Sequence, residues 1–453
     1  MGPKETENDP RIDLFRNRLE NLIDQRHELI GLSELIDWEV FDRQWGLLYE
    51  DRKGAPALRT RLVAGLHYLK HIYKLSDEQV VARWVENPYW QVFCGETYFQ
   101  HEVPCHPTSL TRWRQRIGEE GCEWLLTQTI EAAKGSGALK KHDIKKVTVD
   151  TTVQEKAVTF PTDSKLLEAV RRHLVKACKD HELSLRQNYN RVAKRLGRQI
   201  SGYGHAGQYR RMHKTITLLR RRVGRVVRDI ERQLAHREPE VHGAFADLLT
   251  KAHRLLNQKQ HDSNKLYSVH APEVECIAKG KAHKRYEFGV KASFATTNKN
   301  GFVVGARSYP NNPYDGHTLE DQLQQVETLT AIKPIRCYVD RGYRGHGIEH
   351  TEVYIAGQRR GVTKSIYKEL KRRNAIEPEI GHMKNDGHLG RNYLKGPDGD
   401  AMNVLLVASG HNLRKVLAWL RARSFCAWIL RLFKDVMDVM FASDRYVNRV
   451  QTV

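Results

Sequence analysis

The sequence predicts a mixed α/β core carrying an all-helical N-terminal domain and a helical basic insertion, and three observations in its 453 residues point there. Apolar residues recur at helical spacing through the N-terminal part. Period-two alternation appears near residues 145–152 and again from about 284, and a strongly basic helical stretch lies between those two strand regions. These changes of pattern divide the chain into a helical domain over 1–135, a first core strand over 140–164 and a basic helical insertion over 165–264. The remainder of the core follows over 265–420, with a helical tail over 421–453.

In the N-terminal part, Leu14, Phe15, Leu19, Leu22 and Ile23 repeat as one apolar stripe. Leu58, Leu62, Leu66, Leu69 and Tyr73 form a second. Ser76 with Gln79 three residues on is a capping box ahead of Val80, Val81 and Trp84. Pro107-Thr108-Ser109 opens a short helix over 110–117 in which Arg112, Arg114 and Arg116 surround Trp113. That helix is either a DNA-facing element or an amphipathic helix with a solvated basic face.

The stretch Lys145 to Thr152 reads as a strand ending its apolar run at Asp150, with Asp143 and Glu155 as surface residues on either side. Helical periodicity then returns in Leu167, Val170, Leu174 and Cys178, and in Leu219, Val223, Val227, Ile230 and Leu234. Between residues 171 and 232 stand eighteen Lys or Arg against four acids, a surplus of fourteen out of the chain's net +21. Concentration of that kind favours phosphate contact, with Arg210, Arg211, Lys214, Arg221 and Arg225 as candidates. From Tyr286 the strands resume, joined at Asn300-Gly301 by a two-residue hairpin signal. A helix over 319–329, a strand ending at Asp340, a short strand around Val353-Tyr354-Ile355 and a helix over about 365–385 complete the core. The last long helix starts near Asp400, with Asp398-Gly399-Asp400 as its capping residues.

Hydrophobic residues at 40% and charged residues at 28% describe a globular chain, and no apolar run approaches bilayer length. The excess of 75 Lys and Arg over 54 acids asks for a polyanionic partner, nucleic acid before membrane. Seven scattered cysteines without a CxxC pair argue against a zinc ribbon or a disulfide scaffold.

Chemistry concentrates in three carboxylates. Asp150 and Asp340 each follow a Val-rich strand, and ligand sites in α/β sheets gather at strand ends. Arg373, Glu377 and Lys384 are spaced by four and seven, which on one helix returns them to one face, whereas Glu379 would point away. Pro378 requires that helix to kink or begin beside Glu377.

Together these residues resemble the DDE transposases of the IS4/IS5 insertion-sequence group, most closely the IS5 family. The stretches that carry the resemblance are Val149 to Val153, Tyr338 to Arg344 and the Arg373, Glu377, Lys384 spacing. His270 to Cys276, Ala282 to Val290 and Tyr314 to Leu319 extend it over most of the chain. The family signature has a tyrosine three residues before the arginine, where this chain has Leu370. The resemblance implies an RNase H-like core in which Asp150, Asp340 and Glu377 are the catalytic residues and hold two Mg²⁺ ions, with Mn²⁺ able to substitute. It implies that Arg373 and Lys384, with Arg341 and Arg344, bind DNA phosphates. It further implies cleavage at the terminal inverted repeats, transfer of the 3′-hydroxyl strands to target DNA, a homodimer that pairs two ends, and a bacterial, cytoplasmic, nucleoid-associated protein. His317 and Asp315 stand between a role in DNA positioning and a plain loop role. An RNase H-like nuclease or resolvase without strand transfer, and a domesticated DNA-binding protein, are the alternative functions.

Overall fold

The computed structural model describes residues 17–46, 48, 57–278 and 284–450. The apolar stripe begun by Leu14 and Phe15, and the Ala282-His283 part of the motif above, therefore lie outside the described residues.

Eight helices precede the first strand among the described residues: α1 (Leu19–Leu22), α2 (Glu28–Leu35), α3 (Trp38–Gly46), α4 (Thr60–Ile72), α5 (Asp77–Glu86), α6 (Pro88–Phe93), α7 (Pro107–Gly135) and α8 (Lys141–Ile144). The capping box forms at α5, where the Ser76 hydroxyl accepts from Gln79 N and the Gln79 side chain accepts from Ser76 N. The short helix expected over 110–117 is the first segment of the 29-residue α7. Gly118, at φ 62°, kinks that helix without ending it.

A six-stranded mixed sheet follows: β1 (Lys146–Glu155), β2 (Glu275–Ala278), β3 (Tyr286–Thr297), β4 (Val303–Tyr309), β5 (Arg336–Val339) and β6 (Glu352–Ile355). Its order is β2-β3-β1-β5-β6, with β4 also on β3. Strand β1 pairs antiparallel with β3 from Val147↔Thr297 to Glu155↔Gly289, but parallel with β5 only from Lys146 to Thr148. Asp150 therefore sits in mid-strand instead of at a strand end. The β-branched Thr151, Thr152 and Val153 continue the strand past it. Strand β2 is too short and too weakly patterned to be legible in sequence. The β3–β4 connection is also longer than a two-residue turn. Thr297 N donates to Phe302 O (2.8 Å), closing a four-residue loop with Gly301 at φ 67°. Asn300 spends its side chain on Ala138 O and on Asp143, and Asp143 is buried, not a surface residue.

Helix α13 (Leu319–Thr330) joins β4 to β5. After β6 the expected single helix is two, α14 (Lys364–Arg372) and α15 (Ile376–Asn385), separated by a 3₁₀ turn over Arg373–Ala375. Pro378 falls in the first turn of α15, where its missing N–H costs no helical bond. Helix α16 runs from Gly396 to Val450. Asp400 does not cap it. Its buried carboxylate accepts from Lys156 Nζ (2.7 Å) and Asn392 Nδ2 (2.6 Å), which locks the end of β1 to the start of α16.

Among the described residues two large hydrophobic cores form, beside a small cluster of Tyr338, Ile366 and Leu370. One is continuous from α2–α7 through the sheet to α13, α15 and α16. The other belongs to the insertion, where α9 (Asp163–Asp180), α10 (Asn190–His205), α11 (Tyr209–Leu234) and α12 (Pro239–Asn257) bury Leu167, Val170, Leu174, Val223, Val227 and Phe245. No helix among the described residues is long and apolar enough to cross a membrane.

Candidate active site

Strand β5 stops at Val339 beside β1, and Asp340 turns the chain into a short 3₁₀ helix over Arg341–Tyr343. Its Oδ1 accepts from Gly342 N (2.8 Å), which fixes the carboxylate at the mouth of the sheet. Because β5 pairs only as far as Thr148, the edge of β1 is released just before Asp150. The Asp150 carboxylate accepts from the Thr151 N–H (2.8 Å). By strand alternation Asp150 projects on the same face as Thr148. Thr148 lines a small cavity with Ala375 and Ile376, so this is the face on which α15 begins.

A third aspartate joins this pair. Thr151 Oγ1 donates to Asp315 Oδ1 (3.0 Å), and the buried Lys291 ammonium donates to the same oxygen (2.8 Å). A Cβ on Gly342 would lie 3.0 Å from Asp340 Oδ1 and 3.1 Å from Asp315 Oδ2, so both carboxylates close on this glycine and a side chain there would press on each. Tyr343, fully buried beneath them, shows the combined field. Burial, and then the charges of Asp150 and Asp315 with Asp340, hold its hydroxyl well above the usual phenol range. Asp315 was legible only as an equal choice between two roles, since its contacts to Thr151 and Lys291 span more than twenty residues of chain. His317, by contrast, is exposed and packs edge-on to Tyr314.

Glu377 lies in the first turn of α15 with its side chain 67% exposed, 4.0 Å from Arg373 Nη2. Arg373 reaches it from the 3₁₀ turn, not from the same helix face as expected. Lys384, two turns along α15, lies 3.8 Å from the buried Glu287 carboxylate. Glu379 is committed elsewhere, accepting from Lys415 (2.7 Å) and facing His411 (3.0 Å) on α16. Against the opposing effect of burial, His411 and Lys415 hold its carboxyl below the usual range. Arg341 and Arg344 are both exposed on the Asp340 turn. At the signature tyrosine's position, Leu370 is buried with Ile366 against Tyr338. Glu155 is half-buried and paired to Lys284 (2.6 Å) rather than solvated. Among the described residues, no three His, Cys, Asp or Glu side chains stand close enough to cage one metal ion. Asp150 and Asp340 both lie close enough to Tyr343 for their charges to act on its hydroxyl, and their carboxylates are hard oxygen donors.

The basic candidates divide. On α11, Arg210, Arg211, Lys214, Arg221 and Arg225 are all exposed. On α7, Arg112 and Arg116 are exposed, but Arg114 corrects the sequence reading. It is buried, and its guanidinium grips Asp77 with two bonds (2.9 and 2.6 Å), so the i,i+2 spacing that suggested a basic face turns one arginine into the core.

Residues 17–116 match the family model for a transposase domain of the DUF772 type, and residues 260–413 match the transposase DDE domain. The second match contains Asp315, Asp340 and Glu377, while Asp150 precedes it. An uncharacterized protein, ORF8 in the nfe locus of Rhizobium meliloti, is 49% identical over 197 residues, covering 44% of this chain and 95% of that protein. No solved structure matches. With two transposase domains spanning more than half of its length, the chain belongs to the DDE transposases of insertion sequences.

Proposed function

We propose that this transposase, of the IS5 type, cleaves DNA at the inverted-repeat ends of its element and transfers the freed 3′-hydroxyl strands to target DNA. The observation that carries the reading is the parallel β1–β5 register, in which Thr148 faces Tyr338 and Asp150 and Asp340 each follow two residues on, inside a chain of this family. The sheet order β4-β3-β1-β5-β6, with its first three strands antiparallel and the last two parallel to β1, supports an RNase H-like core.

The donor set fits divalent metal at the aspartate pair, since carboxylate oxygens are the ligands hard cations take. Asp150 and Asp340 would hold two Mg²⁺ ions, with Glu377 as the third donor from the start of α15 and Mn²⁺ as a substitute. Bound there, the metal supplies charge stabilisation to the attacking and leaving oxygens of a phosphodiester. The chain's own groups do the rest. Gly342 N and Thr151 N orient the two carboxylates through single hydrogen bonds. Arg341 and Arg344 on the Asp340 turn, Arg373 beside Glu377 and Lys384 farther along α15 would bind phosphate oxygens and keep the strand in line. The exposed cations of α10 and α11, with Arg112 and Arg116, hold flanking duplex without reading its sequence. Two ends must meet for transfer, so the working unit is a homodimer on nucleoid DNA.

Asp340→Asn tests the assignment. Cleavage of DNA spanning the element end should fall by at least about a thousandfold, while end binding in a gel-shift assay stays unchanged. Retained cleavage would remove Asp340 from the site.

A further inference from the structure

A cleft of about 1070 Å³ opens between the helical N-terminal part and the core, separate from the aspartate pair. One wall is the end of α4, the turn Lys74 to Gln79 and the face of α7 carrying Thr111 and Gln115. The other is the end of α15, the loop from Gly387 to Lys395 and the start of α16. Lys74, at φ 52°, ties the walls together by donating to Asn385 O (2.5 Å).

The charge of this cleft is not self-cancelling. Asp77 is consumed by Lys70 (2.7 Å) and Arg114 (2.6 Å), and Glu155 by Lys284 (2.6 Å). His71 and His388 stay neutral, because burial drives both below the ordinary histidine range. Of the lining acids only Glu78 is left to oppose Lys74, Arg391 and Lys395, and among the described residues none of the three stands within ion-pair distance of a carboxylate, although Asp386 nearby feels the charge of Lys74. At the rim, Arg391 lies 5.5 Å from the ring of Tyr393, whose side chain is 65% exposed, which leaves a flat aromatic surface beside three cations. Lys384 and Glu155 also line the cleft, so it is continuous with α15 and with the far end of the strand that carries Asp150.

We propose that this cleft binds an unpaired DNA strand adjoining the bond that is cut, an inference that rests on the transposition reading above. Spaced cations beside an exposed ring are what a single strand needs, for its phosphates and for a stacked base. The cleft has room for a few nucleotides, whereas a turn of duplex, about 34 Å long, does not fit within it.

Fluorescence anisotropy with the full chain tests this at one salt concentration. Blunt duplex taken from the DNA flanking its own reading frame is compared with the same duplex carrying a short unpaired tail. The tail should tighten binding about tenfold. K74E/K395E should abolish that gain and leave blunt-duplex binding intact, and Y393A, at an exposed position that the fold does not use, should lower it. A tail that adds nothing in the parent chain, or a gain that survives both variants, overturns the cleft assignment alone. Failure to bind any of these duplexes overturns the transposition reading and the cleft with it.

Discussion

Asp315 ties the loop after β4 to the aspartate pair, and its two oxygens have different duties. Oδ1 is saturated by Thr151 and Lys291, while Oδ2 faces Gly342 and through it the Asp340 turn. Asp315 is thus placed to hold the Asp340 turn against β1 and β3. Asp315→Asn should lower single-turnover cleavage by about 10- to 100-fold and raise the magnesium concentration needed for half-maximal rate, with DNA affinity unchanged. An unaltered magnesium dependence would reduce Asp315 to a loop contact. In the helical N-terminal part, Asp77 is held well below the usual carboxylate range by Arg114 and Lys70, although burial pulls the other way. Asp77→Asn would leave both cations buried without a counter-charge, and urea unfolding at pH 7 should show a loss of about 3 kcal/mol. Because the folded value is depressed, this contribution is complete above the unfolded value of 3.8 and disappears as pH falls below it. The gap between parent and variant should therefore narrow on acidification.

At the scale of elements, the α10–α11 pair presents cations on one side and Leu196, Val223 and Val227 on the other. That amphipathicity is what lets the insertion carry so much charge and still bury a core. R221Q/R225Q should reduce the slope of log affinity against log salt for duplex DNA by about two, without moving the cleavage position. An unchanged slope would place the duplex elsewhere. The break between α14 and α15 has a different cause. Leu370 and Ile366 are anchored on Tyr338, and Ile376 and Ile380 on the main core, so the two helices follow different packing partners and the turn at Arg373 absorbs the change.

Across the whole molecule, α16 is the element that joins the helical N-terminal part to the sheet. It packs on α4, α7 and β4, and Gly410 lets it touch α4 backbone to backbone. A Cβ there would stand 2.5 Å from His71 O, in a place where no side chain can yield. Gly410→Ala should cost about 1–3 kcal/mol in urea unfolding and widen the cleft beside His71. A neutral result would mean that the two parts slide freely on each other. Asn412 reinforces this seam, bonding Val303 N and O on β4 and Thr129 on α7.

Local order was legible in the sequence: the Ser76 cap, the α4 and α11 stripes and the strands β1, β3, β4, β5 and β6 follow from periodicity and near-neighbour chemistry. The sequence by itself also determined that the partner is a polyanion, because charge is counted without knowing where it lies. Only the tertiary structure decided which residues meet. It showed Asp150 to be mid-strand with its edge released by the short β5, brought Asp315 across from another loop and buried Arg114 on Asp77. It also opened a cleft between segments some three hundred residues apart. The physical reason is range. Helix caps and periodicity act within a few residues, whereas the pairing of strands and the burial of charge are settled only when distant segments compete for the same partners.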